Sequence, residues 1–360
     1  MKSGLKIMGI GRALPKKCVT NDDMSHLVET SDEWIRTRTG IETRYICENE
    51  TQATLAVQAG REAIEDAGID PSDIKLCLVA STTPTYVMPS TACLVAGELG
   101  LPEECAAMDI NAACSGFIYG CKTASDWLNA EEEAEFENNE AAQNAQTTKN
   151  VCDLNEIRDT ENGCGKAENI KPQNTQNKER KYALLIGAEQ FSRILDFTDR
   201  GTCVLFGDGA GAVVLGLDET KKFASSFGVR SDRTALTCPG VGYEHAHVTM
   251  DGQAVFRFAV EVIGKTLKDL ASKRGIPLED VDEIVCHQAN RRILQSTARH
   301  LDLPLEKFFM NLQTYGNTSS ASIPMALYDL KKEGRLREGK TIYCVGFGAG
   351  LTYGGISLDF

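Results

Sequence analysis

The chain is short of positive charge, of histidine and of unbroken apolar runs. Its 38 lysines and arginines face 51 acidic residues, a formal net charge of −13 over 360 residues. Phosphates attract a cationic face, so this balance argues against broad nucleic-acid binding. It also makes any local basic patch more informative. No Cys-x-x-Cys pair occurs among the 13 cysteines, and no Cys/His cluster has zinc spacing, so neither a disulfide framework nor a metal site is expected. Most of the thiols, including Cys77, Cys93, Cys203 and Cys344 inside apolar runs, are read as buried free cysteines of a cytoplasmic protein. Residues 2–11 have too short an apolar core for a signal peptide and no small-residue cleavage site. The uncharged stretch 76–97 contains Pro84, Pro89 and many hydroxyls, which makes it a poor membrane span, and no membrane association is expected.

What is present is an ordinary globular composition, 42% hydrophobic and 25% charged, long enough for two average domains or one large α/β body. One segment stands apart. From about 130 to 178 the chain is rich in Glu, Asn, Gln and Thr, with Phe136 its only aromatic residue. Such a stretch buries too little apolar surface to offset its ordering entropy, so it is read as a surface insertion, with Cys152 and Cys164 as free thiols. Outside it strands and helices alternate: short buried strands are expected over 181–187, 212–217 and 341–346. Helices are expected over 55–67 and 258–273, ending at Gly68 and Gly275. Aligned on those two glycines, 68–80 matches 275–287 without a gap, with Asp73 opposite Asp280 and Ala80 opposite His287. The match suggests two similar α/β halves whose strand ends converge at their junction, where sites form readily.

Four segments carry candidate chemistry. In 109–120, Asp-Ile-Asn-Ala-Ala-Cys-Ser-Gly-Phe-Ile-Tyr-Gly, small residues lead from a strand into a helix and set Cys114 in a tight turn at its N-terminus. The helix dipole and free amides there favour thiolate, so a lowered thiol pKa is expected, along with donors for an oxyanion. Small-Cys-small turns also occur in plain cores. His287, one of five histidines, follows a buried strand and precedes helix-starting polar residues; His245 and His247 fall in a loop, His26 and His300 on polar helices. A lone histidine is more often satisfied structure than a catalytic group, and placement beyond a strand end raises His287 above that rate. In 315–324, Asn317 offers an amide donor that does not titrate, although the segment also reads as a helix N-cap loop. The glycine-rich 346–355 lacks the Gly-Lys-Ser/Thr ending of a phosphate loop and is read as a turn lining a site; 207–212 is read as packing between the halves.

Together with Thr30-Ser-Asp-Glu-Trp-Ile, Arg38-Thr-Gly-Ile, Asp199-Arg-Gly-Thr, His287-Gln-Ala-Asn and Gly316-Asn-Thr-Ser, these segments resemble the β-ketoacyl-acyl-carrier-protein synthase III family over nearly the whole chain apart from the insertion. The resemblance implies an α/β thiolase-like fold, two similar halves each with a mixed sheet, packed as layered αβαβα. Residues 1–215 would form the half carrying the nucleophile, and 216–360 the half carrying His and Asn. It implies a cytoplasmic homodimer with a Cys114-His287-Asn317 triad. That triad would transfer a short acyl group from acyl-CoA to malonyl-acyl-carrier protein with loss of carbon dioxide. Acyl-CoA is a substrate, and no cofactor or metal is implied. Trp34 and Arg193 would sandwich the adenine, with Thr30, Arg38, Gly252, Phe256 and Asn290 along the CoA tunnel. The amides of Cys114 and Ala349 would form the oxyanion hole, with Ala349 where the family's commonest pattern has glycine. Arg257, Arg292 and Arg299 match basic docking positions for the acidic carrier protein, and Arg291 adds a fourth cation. Met88 would reach the partner's acyl pocket. Three rivals stand beside this reading: a related acyltransferase or condensing enzyme of a secondary pathway, a papain-like hydrolase whose Cys-Gly-Ser-Cys-Trp signature is missing, and a non-catalytic carrier-binding module.

Overall fold

The computed structural model describes residues 3–134, 181–240, 242–243 and 247–360. Most of the insertion, with Phe136, Cys152 and Cys164, lies outside them, as does His245.

Short apolar runs, buried on both faces, build the central strands of two sheets. The first has the order β1 (Gly4–Ala13), β7 (Gly209–Asp218), β6 (Tyr182–Glu189), β4 (Ile74–Ala80), β5 (Ala106–Ile110). In it β5, β4 and β6 run parallel, and β7 is antiparallel to both β6 and β1. The second has the order β11 (Glu283–Cys286), β12 (Thr341–Gly348), β13 (Gly350–Asp359), β8 (Ala224–Asp232). Its β11–β12 pair is parallel and the next two pairs are antiparallel, so β4, β6, β7 and β1 correspond to β11, β12, β13 and β8. The sequence match of 68–80 with 275–287 therefore lies on equivalent strands. β7 continues to Asp218, so the boundary expected after residue 215 falls inside a strand of the first sheet.

Period-two patterning assigns each strand face to a layer. Leu76, Leu78, Leu185, Val213 and Leu215 pack inward with Ile342, Cys344 and Ile356 of the other sheet. Between them lie α5 (116–134), through Phe117 and Ile118, and α9 (Ser322–Lys332), through Ile323 and Leu327. Cys77, Val79, Leu184 and Val214 point the other way, onto α3 (Gln52–Ala67) and α4 (Thr91–Leu99). On the opposite outer face Tyr343, Val345 and Phe347 pack on α6 (Gly252–Arg274) and α7 (Arg291–Leu301). This gives the five αβαβα layers. The caps of α3 and α6, Gly68 and Gly275, adopt left-handed φ of +64° and +65°, which a residue without Cβ takes at no steric cost.

Among the described residues, besides single 3-10 turns, the remaining elements are two small hairpins and three short helices. The hairpins pair β2 (Lys17–Thr20) with β3 (Thr43–Ile46) and β9 (Leu236–Thr237) with β10 (Thr249–Met250). The helices are α1 (Asn21–Ser25), α2 (Asp32–Thr39) and α8 (Leu312–Tyr315). Cys77, Cys203 and Cys344 are buried as expected, but Cys93 is exposed. It lies on the face of α4 away from Thr91, Ala92, Val95 and Leu99, the residues that meet the sheet. Among the described residues no helix is long and apolar enough to cross a membrane.

Candidate active site

Cys114 sits where β5 turns into α5, in a single 3-10 turn over Ala113–Ser115. The turn is sharp because Ala113 takes φ +49°, a left-handed conformation uncommon for a residue with a Cβ. Ser115 Oγ donates to Ala112 O at 2.6 Å, and Thr352 Oγ1 on β13 lies 2.8 Å from Ser115 Oγ, tying the turn to the other half. The end of β12 presses on it closely. A Cβ added to Gly348 would lie 2.7 Å from Cys114 N, so only glycine fits there.

The expectation of a lowered thiol pKa is overturned. Cys114 is only 5% exposed, and loss of solvent around the charged form pushes its pKa up to about 12. The nearby Ser319 hydroxyl pulls it down, while the negative charge of Glu189 pushes it further up. The amides at the start of α5 do not offset that burial.

His287 directly follows β11, and its N–H extends the ladder to Val345 O at 2.8 Å. Phe347 meets its ring edge-on, with centroids 5.1 Å apart. Nδ1 lies 2.7 Å from Ser322 Oγ, which itself accepts the Gln288 N–H at 3.3 Å. The Ser322 proton is thus free to point at Nδ1, which leaves the ring hydrogen on Nε2 as a donor. Burial holds the imidazole neutral, with its pKa lowered to about 3.

Asn317 is held between two backbone bonds, donating to Leu205 O at 2.8 Å and accepting from Gly207 N at 3.0 Å. Its Oδ1 accepts the Ser319 N–H at 2.9 Å, so the carboxamide NH2 group is the end left to donate. Cys114, His287 and Asn317 line one cavity of about 980 Å3, walled by apolar side chains such as Phe191 and Phe206, whose rings stack at 4.4 Å. Its lining also includes the exposed Arg193, Gly252 and Gly350, so it reaches the surface.

Of the other expected residues, Arg193, Gly252, Phe256, Asn290 and Ala349 line this cavity. Ala349 lies outside the left-handed region, so its Cβ is accommodated. Thr30, Trp34 and Arg38 do not line it. Trp34 is half-buried, and the guanidinium groups of Arg38 and Arg200, not Arg193, lie over its ring at 4.6 and 4.7 Å from the centroid. Arg193 donates instead to Pro84 O at 3.1 Å. Arg38 still adjoins the cavity through its backbone, whose oxygen accepts from Asn290 Nδ2 at 3.2 Å. Arg257, Arg291, Arg292 and Arg299 are all exposed. The first three are chain neighbours of the lining residues Phe256, Asn290 and Ile293, and Arg299 lies about 12 Å along α7 from Arg291. Met88 is 80% exposed and does not line the cavity of its own chain.

Two family models match: the 3-oxoacyl-[acyl-carrier-protein] synthase III model over residues 163–232, and the model of that enzyme's C-terminal part over 271–360. The β-ketoacyl-[acyl-carrier-protein] synthase III of Clostridium acetobutylicum is 40% identical over 99% of both chains. The chain belongs to the β-ketoacyl-acyl-carrier-protein synthase III family. A Bacillus cereus member is also 40% identical, over 98% of this chain and 97% of its own. The crystal structure of the Aquifex aeolicus enzyme superposes with a TM-score of 0.81 at 36% identity, covering 99% of this chain and all of the other. The priming β-ketosynthase of the R1128 polyketide pathway gives the same TM-score at 28% identity, covering 100% of this chain and 97% of its own. Family membership makes the chain an acyltransferase of thiolase fold.

Several residues of the site were not singled out in the sequence. Ser322 and Ser319 sit in the quoted 315–324 segment, whose run of hydroxyls was the available signal. Arg200 lies in the quoted Asp199-Arg-Gly-Thr stretch. Glu189 left one trace, an acid at the end of an apolar strand.

Proposed function

We propose that the protein condenses a short acyl-CoA with malonyl-acyl-carrier protein, releasing CoA and carbon dioxide and giving the 3-oxoacyl-acyl-carrier protein that starts fatty-acid synthesis. The observation that carries this reading is a sulfur and two oriented, uncharged donors lining one cavity. Cys114 attacks the thioester carbonyl and becomes acylated, while the amides of Cys114 and Ala349 hold the oxyanion. After CoA leaves, the malonyl thioester enters. His287 Nε2–H and the Asn317 carboxamide hold its carbonyl oxygen as carbon dioxide departs and enolate charge develops there. The carbanion then attacks the acyl-cysteine. A neutral imidazole suits this role, because its donor persists across the working pH range.

Arg193, Gly252, Phe256 and Asn290 would contact the CoA arm, with Thr30, Trp34 and Arg38 beyond the cavity toward the adenine. Arg257, Arg291, Arg292 and Arg299 would draw in the acidic carrier protein against the chain's net −13. A homodimer is supported by Tyr86, Val87 and Met88, exposed by 55%, 77% and 80%, beside Met108 on the edge strand β5. Met88 would then enter the partner's acyl pocket. We place the enzyme in the cytoplasm, with no role at membranes or nucleic acids. The likeness to the R1128 priming ketosynthase supports a second reading, in which the same condensation serves a specialised pathway.

The test is to incubate the protein with mixed short acyl-CoAs, locate the label by peptide mass spectrometry, and then add malonyl-acyl-carrier protein. Label should appear on Cys114 and leave it as a longer carrier-bound product forms. If Cys114→Ala leaves labelling and product unchanged, the reading fails.

A further inference from the structure

Glu189 ends β6 in the first sheet and is fully buried, and no step of the proposed condensation uses it. Its carboxyl gathers donors from two segments far apart in the chain. From the loop after β4, Thr82 N and Thr83 N donate at 3.1 Å, Ser81 Oγ at 3.2 Å and Thr83 Oγ1 at 2.6 Å. From the segment before α9, Ser319 Oγ and Ser320 Oγ both lie 2.9 Å from Oε1. Ser320 Oγ is also 2.8 Å from Ala80 O at the end of β4. The carboxyl thus fastens residues 319 and 320 to the end of the first sheet.

Ser319 is where this fastening reaches the site. Its N–H donates to Asn317 Oδ1 at 2.9 Å, the bond that leaves the NH2 end of the carboxamide free to donate. Among the described residues the other hydrogen bonds of Asn317 are backbone bonds to Leu205 and Gly207, which place its Cα but do not set the rotation of the amide. Ser319 takes φ +50°, a left-handed conformation uncommon for a residue with a Cβ. Its hydroxyl, anchored on a buried carboxyl, holds the backbone in that shape; without the anchor the 318–319 peptide can relax and turn its N–H away from Asn317. A second hold is steric. A Cβ added to Gly187 of β6 would lie 2.3 Å from Ser320 O, so strand and segment meet backbone to backbone. That contact sets their separation and leaves the tilt of the Ser319 peptide to the hydrogen bond.

We propose that Glu189 is the positioning residue of Asn317, holding through Ser319 the carboxamide that meets the enolate oxygen. The inference rests on the proposed condensation, in which Asn317 donates to the malonyl thioester. Glu189 does not line the cavity; it fixes Ser319, and Ser319 fixes Asn317. The role requires hydrogen bonds and not charge. An amide in the same place offers its oxygen to the N–H groups of Thr82 and Thr83, and its NH2 group to the oxygens of Ser319 and Ser320.

The experiment follows carbon dioxide release from malonyl-acyl-carrier protein by the full-length protein already acetylated on Cys114, so that thiol reactivity does not enter. Asn317→Ala, which removes the donor itself, should lower the maximal rate about 100-fold. Ser319→Ala and Glu189→Leu, which break the fastening from either end, should each lower it about tenfold with half-saturation little changed. Glu189→Gln should stay within about twofold of wild type. Ser319→Ala combined with Asn317→Ala should be no slower than Asn317→Ala, about 100-fold, where independent sites would give about 1,000-fold. Should Glu189→Leu not fold, Ser319→Ala alone and in combination carries the test. A full rate in Ser319→Ala would show that packing on Gly187 suffices. A loss in Glu189→Gln as large as in Ser319→Ala would assign the effect to charge, and multiplied losses in the double variant would place the action of Ser319 elsewhere. Any of these overturns the proposal. If the wild-type protein takes no acetyl label on Cys114, or takes it and releases no carbon dioxide, it is the proposed function that fails.

Discussion

Replacing Ser322 by alanine tests how the His287 donor is aimed. The hydroxyl is the group bonded to Nδ1, at 2.7 Å, and the imidazole is 2% exposed, so water does not readily substitute for it. A neutral hydrogen bond is worth about 1 kcal/mol net, and leaving a buried acceptor bare costs about 1–3 kcal/mol. The preference for hydrogen on Nε2 should thus weaken by about 1–2 kcal/mol, a factor of about 5–30 in tautomer ratio. Decarboxylation of malonyl-acyl-carrier protein should fall in kcat, by about twofold where the two tautomers become equally populated, with KM little changed, since the bond to the developing enolate is made mainly in the transition state. Acylation of Cys114 should stay near wild type. Nitrogen NMR of labelled histidine, with His287 assigned from a His287→Gln variant, reads the tautomer directly. An Nδ1–H tautomer in the wild-type protein would refute the reasoning. So would an equal loss of acylation and decarboxylation in Ser322→Ala.

The neutrality of His287 has a stability consequence. Its folded pKa of about 3 lies below the ordinary 6.5, so between those values the unfolded chain binds the extra proton. The associated stability is intact above about pH 6.5 and falls as pH drops, by about 2 kcal/mol at pH 5. Denaturant midpoints at pH 7 and 5 should show that excess acid sensitivity relative to His287→Gln; equal sensitivity would mean that the ring titrates normally. Gly348→Ala should displace the Cys114 turn, because its Cβ would meet a backbone nitrogen at 2.7 Å and not a yielding side chain. A loss of about 100-fold in single-turnover acylation is expected, with about 1–3 kcal/mol of destabilisation from overpacking; unchanged acylation would show that the turn can shift freely.

Much of this molecule is written locally. The strands read over 181–187, 212–217 and 341–346 and the helices ending at Gly68 and Gly275 follow from short-range periodicity and capping, which depend on residues a few positions apart. The repeat of 68–80 in 275–287 extended that reading to two matched sheets, and the small-residue turn around Cys114 was legible for the same reason. Charge state and partners were not. The helix start suggested a lowered thiol pKa, but burial, to which Gly348 of β12 contributes from 234 positions away, decides the opposite. Trp34 meets Arg38 and Arg200 and not Arg193, and Cys93 faces solvent from within an apolar run, because side-chain neighbours depend on which face packs. Glu189 and Ser319 are 130 positions apart, and Ser322 and His287 are 35 apart. By itself the sequence determined which segments become strands, helices and turns, and which residues end them. The tertiary structure alone decided which of those ends share a cavity, because desolvation and hydrogen-bond partners are set by atoms close in space and distant along the chain.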